Sequence, residues 1–196
     1  MKLITLILSI LSILYAQNQK DSFQKATTQI VSNKKASLEQ KLTISQATLK
    51  AINEIRSKPQ ICSKPVKPLR WNQNLYKYAK EHTIDMAVTK KLQHDGSGTK
   101  TDLTAKALGL KRGSHFYERV NQKANDKTIL SGELVIRSNI NALKTPKELI
   151  NYWIKIPNDC KVIMDPRFSD VALAKVVDNK HKKAYWTLLL AGPRTK

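Results

Sequence analysis

The 196 residues contain two cysteines, Cys62 and Cys160, and these stand 98 residues apart. What such a pair imposes on a fold depends on the compartment. In a reducing cytosol they are two thiols. In an exported chain they are expected to pair. A bridge over a loop this long removes about 4–5 kcal/mol of chain entropy from the unfolded state. Two free thiols are the alternative, and the spacing has none of the short intervals of a zinc ribbon.

The N-terminus decides for export. Lys2 supplies a positive start, Leu3 to Tyr15 is apolar except for Thr5, Ser9 and Ser12, and Ala16 offers a small residue for cleavage. Gln17-Asn18-Gln19-Lys20 then turns polar. That order is the pattern of a secretory signal, removed after residue 16. An N-terminal anchor is the alternative, but a spanning helix needs about 20 apolar residues. The expected destination is extracellular, or periplasmic in a Gram-negative bacterium. Residues 17–36, rich in Gln, Asn, Ser, Thr and Lys, read as a flexible polar leader. Residues 37–196 are long enough for one well-buried domain and too short for two.

The formal net charge is +20. Such a charge favours anionic partners, whether nucleic acid, acidic lipid or acidic glycan. Of the 35 basic residues only seven are Arg, and Lys is a hydrated point charge that suits plain surface. Dispersed lysine behind an export signal argues against nucleic acid.

Local signals outline the elements. Ser37 with Gln40, or Thr43 with Gln46, can form a capping box for a first helix. Leu42, Leu49, Ile52 and Ile55 supply its apolar face, and Pro59 ends it. Pro59, Pro65 and Pro68 mark an extended connector that carries Cys62. Asn72 caps a second helix running to about Lys91, with Leu75, Ala79, His82 and Met86 on one stripe. A glycine loop follows at Asp95-Gly96-Ser97-Gly98, then a short helix over 102–109 stopped by Gly109. Residues 111–128 are polar and carry no assignable pattern. Leu134-Val135-Ile136 suggests a strand. Thr145-Pro146-Lys147-Glu148 is the clearest helix start in the chain. Val171 to Val177 and Tyr185 to Leu190 read as a closing hairpin. The sum is a layered α/β domain with a small antiparallel sheet.

Candidates for chemistry are few. There is no nucleophile elbow and no phosphate-cradling glycine loop. His82 lies on the apolar stripe and reads as a packed core residue. His181 sits in a lysine-rich turn and reads as exposed, while His115 has no assignable place. His94 stands where a helix ends and a glycine loop begins, a position that can aim a side chain into a cleft. Glu133 leads into an apolar strand and needs a partner if buried.

Several segments together resemble the CAP superfamily of cysteine-rich secretory proteins, antigen 5 and pathogenesis-related-1 proteins, in its compact SCP-like form. They are Ile52-Asn53-Glu54-Ile55-Arg56, Pro68-Leu69-Arg70-Trp71-Asn72, His82 to Ala87 and Gln93-His94-Asp95-Gly96. Gly132-Glu133, Thr145 to Trp153, Cys160 to Phe168, Tyr185-Trp186-Thr187 and Gly192 continue the series, which spans about residues 45–193. The resemblance implies an α-β-α sandwich with a central antiparallel sheet between helical layers. It also implies a bridge from a cysteine before the Trp motif to Cys160, in support of the pairing above.

The resemblance further implies a cleft with two His and two Glu, which bind a divalent metal in some members. His94 and Glu133 match the first of each. Ile156 stands where the second Glu belongs, Asp159 where the second His belongs, and Leu134 where an Asn usually follows Gly-Glu. His94, Glu133 and Asp159 remain as an oxygen-rich ligand set, poorer for zinc than for harder ions. The expectation without a metal is a charge-assisted hydrogen bond from His94 to Glu133 that holds the loop to the sheet. The leading functional expectation is therefore a secreted, non-catalytic domain without a cofactor, binding a lipid or sterol, a protein or an anionic surface. The alternative is a metal-assisted hydrolase or peptidase, with His94 as base and Glu133 orienting it.

Overall fold

The computed structural model describes residues 42–125, 127 and 129–193, and within 17–25 only Gln17, Lys20, Asp21, Gln24 and Lys25. The chain divides into two units, residues 1–42 and residues 43–196. In the first, those five residues of 17–25 are helical and exposed. The signal read over 1–16, the capping alternative at Ser37 and the rest of the leader lie outside the described residues.

The second unit contains helices α1 (Ile44–Arg56), α2 (Gln73–Thr89), α3 (Leu103–Ala107), α4 (Phe116–Asn121), α5 (Pro146–Trp153) and α6 (Pro157–Ile163). Its strands are β1 (Arg70–Trp71), β2 (Ile129–Asn139), β3 (Asp170–Asp178) and β4 (Lys183–Pro193). Side-chain caps set the helix starts. The Thr43 hydroxyl accepts from the Gln46 amide while the Gln46 side chain accepts from the Thr43 amide, closing a capping box on α1. Asn72 Oδ1 accepts from the amides of Asn74 and Leu75 and opens α2. Thr145 and Glu148 make the second box, with Pro146 in the first turn of α5. Pro157 likewise opens α6, which the sequence reading passed over.

The sheet order is β1-β3-β4-β2. The antiparallel expectation holds for β2–β4 and β3–β4, and one short parallel pair, Arg70 and Trp71 on Asp170 and Val171, is added at the far edge. Because strand side chains alternate faces, the register sorts the sheet into two layers. Leu134, Leu173, Ala184, Trp186, Leu188 and Leu190 point into a core shared with Ile52 of α1, Leu149 and Trp153 of α5, and Cys160 and Ile163 of α6. Ala172, Ala174, Leu189 and Ala191 point the other way, onto Leu75 and Ala79 of α2 and Val120 of α4. This is the expected α-β-α sandwich.

Arg56 joins parts that hydropathy cannot join. It is fully buried, and its guanidinium donates to the carbonyls of Lys67, Ile163, Asp165 and Phe168. Ile163 is the last residue of α6, so the cation also meets the orphan carbonyls of a helix end. Asn53 exchanges two hydrogen bonds with the backbone of Leu69 and fixes the connector against α1.

The Cys62–Cys160 disulfide is formed, linking that connector to α6. Replacing both cysteines with Ala should lower the unfolding free energy by about 4–5 kcal/mol. Urea titration of the variant beside the wild type would measure this.

Candidate functional site

Glu133 is the carboxylate around which the site is built. The alternation of β2 turns it to the face covered by α2 and α4, where its side chain has no solvent exposure. A carboxylate so placed requires compensation. Arg119 of α4 provides it, with Nη2 donating to Glu133 Oε2 at 2.8 Å and only 1% of its own side chain exposed. The same guanidinium donates to the carbonyls of Ser114 and His94, at 2.8 and 2.7 Å. His94 Nδ1 donates to the other Glu133 oxygen, Oε1, at 3.0 Å, and the His94 side chain remains 59% exposed. Behind it, His82 Nε2 donates to the Gln93 carbonyl at 2.9 Å and lies 3.9 Å from Glu133 Oε1. Among the described residues, His82 Nδ1 and Arg119 Nε have no hydrogen-bond partner.

These contacts set the charge states. Burial pushes the Glu133 carboxyl up, but the Arg119 charge and the bond from His94 outweigh it and hold its pKa below the usual range. The bond to Glu133 raises the His94 pKa against the opposing effect of burial. Burial, then the charge of Arg119, pushes His82 down, so it stays neutral.

The loop bearing His94 is fixed from below by two buried carboxylates. Asp85 accepts from the Ser97 amide and hydroxyl and from the Thr101 hydroxyl. Asp102 accepts from the amides of Gly98, Ala105 and Ser114 and from the Ser114 hydroxyl. At Gly96 and Gly113 two chain segments cross in contact. A Cβ on Gly113 would lie 1.7 Å from the Gly96 carbonyl oxygen, which no side chain can satisfy.

Beside this network lies a cleft of about 430 Å³. His94, Phe116 and Glu133 form one side, Lys161, Val162 and Phe168 the other, and β2 from Leu130 to Glu133 runs along it. Arg167 is at the rim, paired with Asp165.

The model of the Cysteine-rich secretory protein family, CAP, matches residues 49–190. The chain belongs to this family. No curated protein sequence matches it. Among solved structures, an outer surface protein of Borrelia burgdorferi is similar at 14% identity with a TM-score of 0.54, over 74% of this chain and 90% of that one. An extracellular SCP-domain protein of Bacillus anthracis is similar at 17% identity with a TM-score of 0.53, over 76% of this chain and 40% of that longer one. At these identities the likeness establishes the fold of the CAP domain.

Within this CAP domain, His94 and Glu133 meet as expected. Asp159 does not join them. It sits half-buried in the first turn of α6, where burial raises its pKa and the His94 charge lowers it, with no hydrogen bond to either residue. Ile156 caps α6, and Leu134 belongs to the opposite core. His82 is buried as read, yet it also backs the site. Arg119 was missed altogether, because it lies in the polar stretch 111–128. His115 caps α4 and binds Asp95 at 2.7 Å, and the exposed His181 binds Asp178.

Replacing Arg119 with Met should destabilise the fold by about 3–5 kcal/mol, since it leaves a buried carboxylate unpaired. Adding Glu133→Gln should recover part of that loss in urea titration. A second outcome follows from His94. Its folded pKa lies above the unfolded 6.5, so its stabilisation is complete below that pH and is lost as pH rises through the folded value. The stability gap between wild type and His94→Ala should therefore narrow from pH 6 to pH 9, as thermal melts would show. The opposite dependence of His82 is common to both proteins and cancels.

Proposed function

We propose that this is an exported CAP domain that binds a partner in the cleft beside β2 and performs no reaction there. One observation carries the reading: both Glu133 oxygens are engaged, Oε2 by Arg119 and Oε1 by His94. A general base must be reachable by its substrate, and the Glu133 side chain has no solvent exposure. A metal ligand must face its ion, whereas this carboxylate faces a guanidinium. Among the described residues no group of three His, Cys, Asp or Glu is placed to hold a metal ion. The residues present do not fit a divalent ion.

The cleft pairs apolar surface from Phe116, Leu130, Val162 and Phe168 with positive groups at Lys161 and His94. That combination suits a ligand with apolar parts and an anionic or acceptor group, which a lipid or a protein segment can supply. Export rests on the N-terminal pattern and gains support from the surface and extracellular descriptions of the Borrelia and Bacillus proteins. No helix among the described residues is long and apolar enough to cross a membrane.

The hydrolase alternative has one observation in its favour. Glu133 orients His94 through Nδ1 and leaves Nε2 available. It still lacks a nucleophile, since no hydroxyl or thiol among the described residues hydrogen-bonds to His94. The test expresses the full chain, recovers it from the medium and assays a broad panel of ester, peptide and glycoside substrates. The expected result is a mass consistent with cleavage after Ala16, a two-hydrogen deficit for the disulfide, and no turnover. Turnover abolished by His94→Ala would overthrow the binding reading.

A further inference from the structure

β2 is the terminal strand of the sheet, so one of its sides has no neighbouring strand. Which groups face that side follows from three hydrogen bonds. The Ile140 amide donates to Lys182 O, continuing the β2–β4 register, so even-numbered residues of β2 bond to β4. The Ile129 amide donates instead to Asn121 Oδ1, away from β4. Ala191 O, opposite Ser131, accepts from Ser169 on the far side of β4. The odd-numbered Ser131, Glu133, Val135 and Arg137 therefore turn their amides and carbonyls to the open edge. Among the described residues none bonds to these groups.

This edge does not face open solvent along its whole length. The cleft of about 430 Å³ straddles it at Leu130–Glu133, with Phe116 and His94 above the sheet plane and Val162 and Phe168 below it. A groove with a strand edge as its floor and apolar walls on both faces is shaped for an extended backbone, whose side chains alternate to the two walls. Exposed strand edges are normally blunted because they recruit other strands. Here the edge is instead set in a groove.

We infer that the cleft binds an extended acidic peptide, which adds to the sheet as a fifth strand along β2 and pairs with the backbone of Ser131 and Glu133. This rests on the binding reading above and specifies its partner. The acidic character follows from charge. Within the groove Asp165 is neutralised by Arg167 and Glu133 by Arg119, which leaves Lys161 and His94 as the net contribution. A second copy of this chain would bring another +20 against the first, so self-pairing at the edge is opposed. Apolar residues at alternate positions of the peptide would meet Phe116 on one wall and Val162 and Phe168 on the other.

The test selects displayed random dodecapeptides on the folded wild-type protein and synthesises the enriched sequences. Enrichment of Asp and Glu among alternating β-forming residues is expected, with affinity falling as salt rises. Ser131→Pro removes an outward amide while sparing the bonds to β4. It should weaken binding by about tenfold or more. Methylation of alternate peptide amide nitrogens, measured on wild-type protein, should do the same and needs no variant to fold. No enrichment, or enriched peptides that bind Ser131→Pro and the methylated forms unchanged, would overturn the inference. Unchanged binding that His94→Ala or Lys161→Ala weakens would leave the cleft as a binding site and remove only the strand pairing.

Discussion

A carboxylate buried at the edge of a sheet sets the terms for this domain. Glu133 sits in β2 with no solvent to stabilise its charge, so a cation must be delivered to it. Arg119 arrives on a helix of six residues, and its two terminal nitrogens also donate to the carbonyls of Ser114 and His94. Thus one guanidinium fixes the strand, the α4 segment and the loop after α2 to one another. The position of His94 is a by-product of neutralising Glu133. Removing the pair together would disturb less than removing either alone, which is the usual behaviour of buried ion pairs.

The same economy separates frame from surface in the cleft. Asp85, Asp102, Gly96 and Gly113 hold the His94 loop without reaching the cleft, while Phe116, Lys161, Val162 and the free side of β2 line it. Changes on the lining leave the hydrogen bonds that hold the loop in place. Changes in the frame move His94 first. Glu133, the buried carboxylate beside the cleft, belongs to the frame through its bonds to Arg119 and His94.

Sequence made the locally determined parts legible. The Thr145 capping box, the Asn72 cap, the Gly109 stop and the β3–β4 hairpin are all set by near neighbours, and each stands where it was read. Residues 111–125 resisted because what orders them is electrostatic, not periodic. Glu118, with its pKa held at about 2, receives a two-pronged bond from Arg112 and the amides of His115 and Asn125. No hydropathy pattern encodes that arrangement. One clue to Arg119 was present: a Glu entering an apolar strand demands a cation from somewhere. β1 is too short to leave a pattern, and α6 hides behind Pro157, which reads as a breaker until it is seen to start a helix.

The disulfide bears on proteolysis as well as on stability. Cys62 and Cys160 close a ring containing the entire His94 loop, α4 and β2. A protease that cuts once inside this ring, for instance in the exposed polar turn around Lys123, severs the backbone but releases nothing, because the two pieces stay joined through sulfur. The nicked molecule would keep Glu133 and Arg119 as neighbours within one covalent unit. Two cuts inside the ring are needed before the part of the cleft it encloses, His94, Phe116 and Leu130 to Glu133, can diffuse away.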